Sequence, residues 1–390
     1  MKHIVVGKSN EDSLFLLIGF YVFSLVLINV VAYLDTTGTE QVSGQISLIS
    51  KLIILILLAC NSSKFISSYS KRFIVFVLFI FVVFLHAIVF SDLKEAVLAE
   101  SIKFWVMVFP LVLVLVKIKH FDMLLSVLRK ISYLIVMIFP MLCFFKNNKY
   151  SYSMGLANSL VVPTMVLLYY YFVRRQKRDL LFAIIIIAMI FIWGSRGALL
   201  SVISFVAFFY MKNIKQSKYA RRIYFAAIAF VCVGFLSPIL LELLDDWFQS
   251  LGIQSRTIWV LLHNPVYFSG REDIYISIVE GIIDDPFNIR GIAGERMLAN
   301  GAYAHNFILQ LFGEFGIVFG MLSSTIIMLF TMVTLKFERV NSERGLKLIL
   351  FSASVPRMLI SGSIWSEPYF WMWFVMCMEG AKREKCQELC

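Results

Sequence analysis

Long apolar runs recur along this chain and restrict its fold more than any other feature. The apolar windows of membrane length are 13–34, 44–60, 73–90, 98–116, 131–145, 155–173, 180–195, 197–211, 223–241, 305–335, 345–362 and 366–381. In hydrocarbon every backbone N–H and C=O needs an internal partner, so apolar runs of about 20 residues form helices. The runs are continuous rather than alternating, which excludes a transmembrane β-barrel. We expect an all-α polytopic membrane protein with about twelve transmembrane helices.

Composition supports the same class. Hydrophobic residues make up 60% of the chain and charged residues 16%, and the mean hydropathy is +0.82, far outside the range of soluble proteins. The first run, 13–34, is too long for the apolar part of a signal peptide, so we interpret it as a retained first span. The six cysteines show neither a disulfide framework nor zinc-ligand spacing, and we expect no metal and no cofactor.

The net charge of +11 predicts topology rather than nucleic-acid binding, because Lys and Arg collect in cytoplasmic loops. With the N-terminus inside, 25 of the 36 basic residues fall in alternate connecting segments. They are Lys2, Lys8, Lys64, Lys71, Arg72, Lys117, Lys119, Arg129, Lys130, Arg174, Arg175, Lys177, Arg178, Lys212, Lys215, Lys218, Arg221, Arg222, Lys336, Arg339, Arg344, Lys347, Lys382, Arg383 and Lys385. This bias predicts a multi-pass membrane protein with both termini cytoplasmic.

The chain divides into three parts on this topology. Helices 1–9 occupy residues 1–241, an extracytoplasmic loop occupies 242–304, and helices 10–12 with a cytoplasmic tail occupy 305–390. The loop contains nine acidic residues and four basic residues, Arg256, Arg271, Arg290 and Arg296. All four bases are arginines, whose planar fork of donors suits phosphate and carboxylate oxygens. The loop therefore indicates oxyanion recognition.

Short elements are expected within the loop. Residues 255–268 mix aromatic, apolar and polar side chains, as an amphipathic segment at a membrane interface does. Residues 271–283 predict a short helix that stops before Asp284, Asp285 and Pro286. Residues 288–301, rich in glycine and charge, predict an ordered loop.

Three local features could carry chemistry. Gly194-Ser195-Arg196-Gly197-Ala198 puts Arg196 at the outer membrane face, either as a residue that reaches lipid headgroups or as an anion clamp. Arg271, at the start of the loop helix, either pairs with Asp273 or Glu295 or binds a substrate anion. His305 ends the polar loop where the chain re-enters the membrane, and is either a capping residue or a proton acceptor for a hydroxyl.

Two further ionisable residues, Glu314 and Arg357, fall at predicted membrane depth. Charges there are paired or functional. We expect them to pair with each other or to contribute to substrate binding.

Taken together, these motifs resemble the superfamily of bacterial O-antigen polymerases and O-antigen ligases. The resemblance rests on Ser-Arg-Gly-Ala at 195–198, Gly-Arg at 270–271, Gly-Ile-Ala-Gly-Glu-Arg at 291–296 and His-Asn at 305–306, followed by Gly316 and Gly320. It covers 190–325 in motif and the whole chain in hydropathy. The resemblance implies a helical membrane bundle with a large periplasmic loop, and glycosyl transfer from undecaprenyl diphosphate without a nucleotide sugar.

The resemblance also assigns roles to residues. Arg196 and Arg271 would hold the donor diphosphate, and His305 would assist the acceptor hydroxyl, so these three are the expected catalytic residues. The expected substrate-binding residues are Arg290, Arg296, Glu295, Tyr303 and Asn306. The expected partners are lipid-linked oligosaccharides, the bilayer and a chain-length regulator protein, with no nucleic acid.

Three functions fit the sequence. We favour a polymerase that extends a glycan on one undecaprenyl diphosphate carrier with the repeat unit of another, in lipopolysaccharide biosynthesis. A ligase would instead transfer the glycan to lipid A core. A flippase or transporter of lipid-linked sugars would concentrate polar groups along a midplane pathway, whereas here they gather in one outer loop.

Overall fold

The computed structural model describes residues 11–34, 41–61, 69–144, 153–193, 195–213, 238–250, 258, 262, 271–336 and 341–387, and the regular structure in these ranges is all helical. The α-helices are α1 (Asp12–Leu34), α2 (Gln41–Cys60), α3 (Lys71–Phe90), α4 (Lys94–Lys103), α5 (Phe109–Lys117), α6 (Phe121–Phe144), α7 (Met154–Ser159), α8 (Val161–Arg174), α9 (Lys177–Trp193), α10 (Arg196–Asn213), α11 (Pro238–Ser250), α12 (Glu272–Asp284), α13 (Glu295–Leu298), α14 (Phe307–Leu335), α15 (Ser342–Met358) and α16 (Pro368–Gln387). A π-helical turn, Phe104–Val108, joins α4 to α5, and a 3₁₀ turn, Ile364–Ser366, precedes α16.

The helical class that the apolar runs predict is therefore confirmed. Among the described residues, five helical segments are long and apolar enough to cross a membrane. They are Asp12–Tyr33, Lys71–Phe90, Lys94–Lys117, Met154–Arg174 and Phe307–Leu335. The count of twelve stays a prediction, and its ninth run lies outside the described residues up to position 237. Most of the predicted amphipathic segment 255–268 also lies outside them.

Burial divides the helices into an inner and an outer set. The Met154–Arg174 segment is 78% buried, whereas α3 is 22% buried and α14 is 17% buried over their apolar windows. Helix α15 packs on α10 and α16, and α8 packs on α9 and α6. The exposed side chains of α3 and α14 are mostly large and apolar. Soluble proteins rarely expose so large an apolar surface to water. We interpret these faces as contacts with lipid.

Connecting segments gather in two groups. In one group Lys119 N donates to Glu11 Oε2 at 3.0 Å, and Arg129 pairs with Asp179 at 2.7 Å. All four residues border segments that the charge pattern predicts to be cytoplasmic. The other group contains residues 271–304, the start of α10 and the end of α15. Residues 271–304 belong to the loop that we predict to lie outside the cytoplasm and call the outer loop. The 17 residues of α15 separate its two ends by about 25 Å.

The outer loop has a small hydrophobic core of its own. Ile278 and Ile282 of α12 pack with Ala299 and Ala304, against side chains from α14. Helix α12 begins at Glu272 and ends at Asp284, in agreement with the predicted helix over 271–283. The loop is thus folded onto α14.

Helix α14 is broken at Gly316, which has φ 67° and ψ −179°. The break releases backbone groups that the loop then satisfies: Ile317 N donates to Pro286 O at 2.7 Å, and Gly291 N donates to Glu314 O at 2.8 Å. Non-helical backbone is tolerated near the membrane where protein groups satisfy it. The break therefore fastens the loop to α14.

Candidate functional site

The turn at residues 359–362, which follows α15, contacts three segments that are far apart in sequence. Arg271 Nη1 donates to the carbonyl of Ile360. Asn306 Nδ2 donates to the carbonyl of Leu359 at 3.0 Å. Gly197 lies so close that a Cβ there would be 3.6 Å from Ile360 Cδ1. The turn thus brings together the three motifs that the sequence singled out.

Arg196 is the first residue of α10 and is half-buried. The preceding Ser195 is buried, and its hydroxyl oxygen accepts from Ala198 N at 3.3 Å, which satisfies one of the free N–H groups at the helix start. The same hydroxyl donates to Asn158 Oδ1 at 3.2 Å. A Cβ at Gly197 would lie 3.2 Å from Arg357 Cγ, so glycine allows a close approach here. The Ser-Arg-Gly motif therefore fixes where α10 begins against the end of α15.

Arg271 precedes α12 and is half-buried. The expected pairing with Asp273 or Glu295 is wrong, since no such ion pair is present among the described residues and the guanidinium reaches the 359–362 turn instead. Only one of its five donors is used in that contact, so the planar fork keeps capacity for an anion. Its charge also acts on His305.

His305 has a left-handed backbone conformation, with φ 53°, which is uncommon outside glycine and clusters at functional sites. Its ring lies 3.7 Å from that of Tyr303, centroid to centroid. Nδ1 is buried and has no hydrogen-bond partner in the described part of the chain. Burial, together with the positive charge of Arg271, lowers the pKa of His305 to about 4. The imidazole is therefore neutral at physiological pH.

Asn306 has a structural role that the sequence left open. Its side-chain oxygen accepts from Ile308 N at 2.9 Å and from Leu309 N at 3.3 Å, so it caps α14. Its amide nitrogen binds the 359–362 turn. Both ends of the side chain are thus occupied by protein groups, and Asn306 holds the backbone next to His305; its expected role in substrate binding stays a prediction.

Glu295 and Arg296 belong to a second cluster. Arg296 donates to Glu100 Oε1 at 2.7 Å and lies 3.8 Å from Glu295 Oε1, and Lys103 also reaches Glu100, at 3.3 Å. Glu295 is buried and lies against α14, where a Cβ on Gly313 would be 2.8 Å from Glu295 Cβ. Burial raises the pKa of Glu295 to about 7.

Glu314 lies beside Glu295 at the centre of this cluster and is fully buried. Its carboxyl oxygens accept from Ala293 N at 2.9 Å, from Gln310 Nε2 at 2.9 Å and from Trp365 Nε1 at 2.9 Å. The expected pairing of Glu314 with Arg357 is wrong. Arg357 pairs with Glu367.

Arg290 is likewise engaged by protein groups. Its guanidinium donates to Gly281 O at 3.0 Å and to Asp285 O at 3.4 Å, the carbonyls at the end of α12. Basic groups at that position stabilise a helix. Arg290, Arg296 and Glu295, which were expected to bind substrate, therefore contact protein groups that hold the outer loop in place. Tyr303, the fourth of these residues, contacts the ring of His305.

Sequence reasoning missed the residues that fasten the loop to the helices. Glu100 and Lys103 are charges near the start of an apolar window, and such charges are a usable signal. Gln310 gave no signal, although its Oε1 accepts from Ile364 N at 3.0 Å and its Nε2 reaches Ser363. Glu367 lies at the start of the last apolar run, 366–381, where an isolated acid could have been noticed.

Comparisons of the chain with known protein families, with curated proteins and with solved structures find no match.

Proposed function

We propose that this chain is an O-antigen polymerase of a bacterial inner membrane, which moves a growing glycan from one undecaprenyl diphosphate carrier onto the terminal sugar of another carrier's repeat unit. The observation that carries the proposal is the convergence of the α10 start, Arg271 and the His305–Asn306 segment on the 359–362 turn. The sequence order of these motifs resembles that of O-antigen polymerases and ligases, and the fold makes them neighbours.

In the proposed reaction the acceptor hydroxyl oxygen attacks the anomeric carbon of the donor sugar. The new glycosidic C–O bond forms as the bond from that carbon to the diphosphate oxygen breaks. Undecaprenyl diphosphate leaves with the bonding electron pair, and the hydroxyl proton passes to His305. Negative charge grows on the leaving diphosphate, so arginines bind it most strongly in the transition state.

Arg196 and Arg271 supply that positive charge in the proposal. Arg271 contacts protein through a backbone carbonyl and not through a carboxylate, so its charge is not cancelled by the group that holds it. A diphosphate beside it would gain a bidentate contact. Arg196 begins α10, where the positive end of the helix dipole adds to its charge.

The charge of Arg271 also couples donor binding to the base. In the free protein, burial and Arg271 keep the pKa of His305 at about 4, so His305 is neutral but a weak base. A bound diphosphate brings negative charge next to Arg271 and offsets its effect. The basicity of His305 therefore rises when the donor is present, so His305 becomes a better proton acceptor only after the donor has bound.

An O-antigen ligase would use the same donor and differ only in its acceptor, lipid A core. A flippase or transporter would move lipid-linked repeats without extending them. A deletion strain of the organism that makes the protein distinguishes the polymerase from the ligase. Deletion of a polymerase leaves lipopolysaccharide with single repeat units, whereas deletion of a ligase leaves core with no repeat.

The test is complementation of a deletion strain, read by lipopolysaccharide gel profiles. We expect Arg196→Ala, Arg271→Ala and His305→Ala to leave single repeats while the proteins insert at normal levels. Arg271→Lys should fail as well, because a single ammonium cannot make the bidentate contact. The controls Arg72→Ala and His120→Ala remove exposed residues at predicted cytoplasmic positions and should restore full chains. Full-length chains from all three alanine variants would refute the assignment.

A further inference from the structure

A second polar cluster lies beside the candidate site, at the end of α15 and the start of α16. It consists of Arg357, Glu367, Tyr369, Tyr21 of α1 and Tyr303 of the outer loop. Arg357 pairs with Glu367. The rings of Tyr21 and Tyr369 meet edge to face with centroids 6.3 Å apart. Tyr303 interacts electrostatically with Arg357 and contacts the ring of His305. We name these five residues the tyrosine–arginine cluster.

The ion pair in this cluster is incomplete. One nitrogen of Arg357, Nη2, contacts one oxygen of Glu367, Oε2, whereas a side-on pair would engage two of each. As a result, Arg357 Nε and Glu367 Oε1 are buried without a hydrogen-bond partner among the described residues, and so is the hydroxyl of Tyr369. A buried donor or acceptor that nothing binds is destabilising, because it loses its hydrogen bonds to water on folding. Three in one cluster are expensive for a purely structural arrangement.

The three atoms form a set of complementary groups. Arg357 Nε is a donor, Glu367 Oε1 is an acceptor and the tyrosine hydroxyl is both. The Arg357 side chain keeps 18% exposure while that of Glu367 keeps 7%, so the guanidinium is the more exposed end of the pair. The cluster therefore resembles a small polar binding site with aromatic walls.

The charge of the cluster selects the class of ligand. Glu367 neutralises Arg357, so the pair offers no net positive charge to a diphosphate, and its carboxylate would repel one. A neutral ligand with many hydroxyl groups can instead donate to Glu367 and accept from Arg357 at the same time. Sugars have this chemistry, and their apolar faces pack on aromatic rings such as those of Tyr21 and Tyr369.

We propose that the tyrosine–arginine cluster is the subsite for the terminal sugar of the acceptor. This proposal rests on the proposed function and deepens it. Tyr303 links the cluster to His305, the residue that would take the acceptor's proton, whereas Arg271 lies on the side assigned to the donor diphosphate. The sugar that carries the attacking hydroxyl therefore binds next to His305.

The sharpest variant is Tyr369→Phe. It removes a hydroxyl that bonds to no described residue, so a structural role predicts no loss of stability. A matched control exists in Tyr69→Phe. The hydroxyl of Tyr69 is also buried without a partner in the described ranges, but Tyr69 stacks on Phe73 and lies under Lys117, in the group of predicted cytoplasmic segments.

The probe is the repeat-unit oligosaccharide released by mild acid from lipid-linked repeats of the same cells. It lacks diphosphate and so reports on the sugar subsite alone. Binding to the purified full chain is measured by calorimetry. We expect Tyr369→Phe to weaken binding about fivefold, as loss of one hydrogen bond does, and Tyr69→Phe to leave it unchanged. Glu367→Gln keeps the side-chain volume and should weaken sugar binding further, because a charged acceptor is lost.

Undecaprenyl diphosphate is the second probe, and its affinity should be the same in wild type and Tyr369→Phe. Equal sugar affinity in wild type and Tyr369→Phe, no sugar binding to wild type, or a loss confined to undecaprenyl diphosphate would each overturn the subsite. Chain extension by the wild type is measured in parallel. If the wild type extends chains while the sugar result is negative, the subsite alone fails; if it extends none, the proposed function fails.

Discussion

At the scale of single residues, the state of His305 decides what the site can do. Its ring contacts that of Tyr303, the charge of Arg271 lowers its pKa, and its backbone is in the left-handed region. Asn306 fixes this conformation because it caps α14 and binds the 359–362 turn at once. In the proposed function these two adjacent residues have different roles: His305 accepts the proton and Asn306 positions His305.

The pH dependence of chain extension follows from this arrangement. A histidine whose pKa is lowered to about 4 keeps its neutral form down to that pH, so the acid limb of kcat/KM should lie near pH 4 and not near the ordinary value of 6.5. The limb of kcat should lie at higher pH, because bound diphosphate offsets Arg271. Both are read from initial rates against pH, with His120→Ala as control. A kcat/KM limb near pH 6.5 in the wild type would contradict the account.

Residue types were easier to predict from sequence than their partners. Ionisable groups at membrane depth indicated that Glu314 and Arg357 need partners, and both have them. The partners themselves depend on how α14, α15 and α16 are rotated against each other. That rotation brings Trp365 to Glu314 and Glu367 to Arg357, and a single sequence does not encode it in any readable pattern.

At the scale of elements, the break in α14 joins the outer loop to the membrane-embedded helices. Some apolar windows matched the helix bounds closely, such as 73–90 for α3, because hydrophobic length is a direct signal. The window 131–145 missed the first ten residues of α6, which begins at Phe121. The break at Gly316 and the π-helical turn Phe104–Val108 carry no such signal, since glycine and apolar residues both occur in continuous membrane helices. Pro286, whose carbonyl accepts from the residue after the break, lies in another segment of the chain.

Substitution of Gly316 tests the role of the break. In Gly316→Ala the Cβ would lie 2.9 Å from Pro286 O and 3.0 Å from Asn288 O, in addition to the strain of a positive φ. We expect the loop to detach from α14, with faster proteolysis of the loop and loss of chain extension. Gly301→Ala is the matched control: its φ is also positive, at 89°, but nothing lies within 4 Å of the added Cβ. It should cost only backbone strain, about 1 to 3 kcal/mol. Equal sensitivity of the two variants would argue against the docking role.

At the scale of the whole molecule, the connecting segments form two groups, and the charge pattern anticipates their membership. Basic residues marked one set of segments as cytoplasmic, and contacts such as Arg129 with Asp179 join members of that set. The remaining set contains the outer loop, the α10 start and the 359–362 turn. The charge pattern predicts which segments share a side of the membrane, because charge bias is additive along the chain, but it does not predict which of them are in contact.

Reporter fusions test this arrangement independently of chemistry. Fusions at residue 275 should be extracytoplasmic, and fusions at residues 176 and 216 should be cytoplasmic. Residue 176 lies in the group that contains Arg129, and residue 275 in the group of the candidate site. An alkaline phosphatase and β-galactosidase pair gives opposite signals on the two sides. A cytoplasmic signal at 275 would remove the lipid-linked donor from the site.

The most direct test of the central claim is extension of lipid-linked repeats by the purified protein in liposomes. We expect the wild type to convert undecaprenyl-diphosphate-linked single repeats into a ladder of longer chains, with release of undecaprenyl diphosphate for each bond formed. His305→Ala should give no ladder, and His120→Ala should give the full ladder. Liposomes in which the wild type moves repeats across the bilayer without lengthening them would contradict the account.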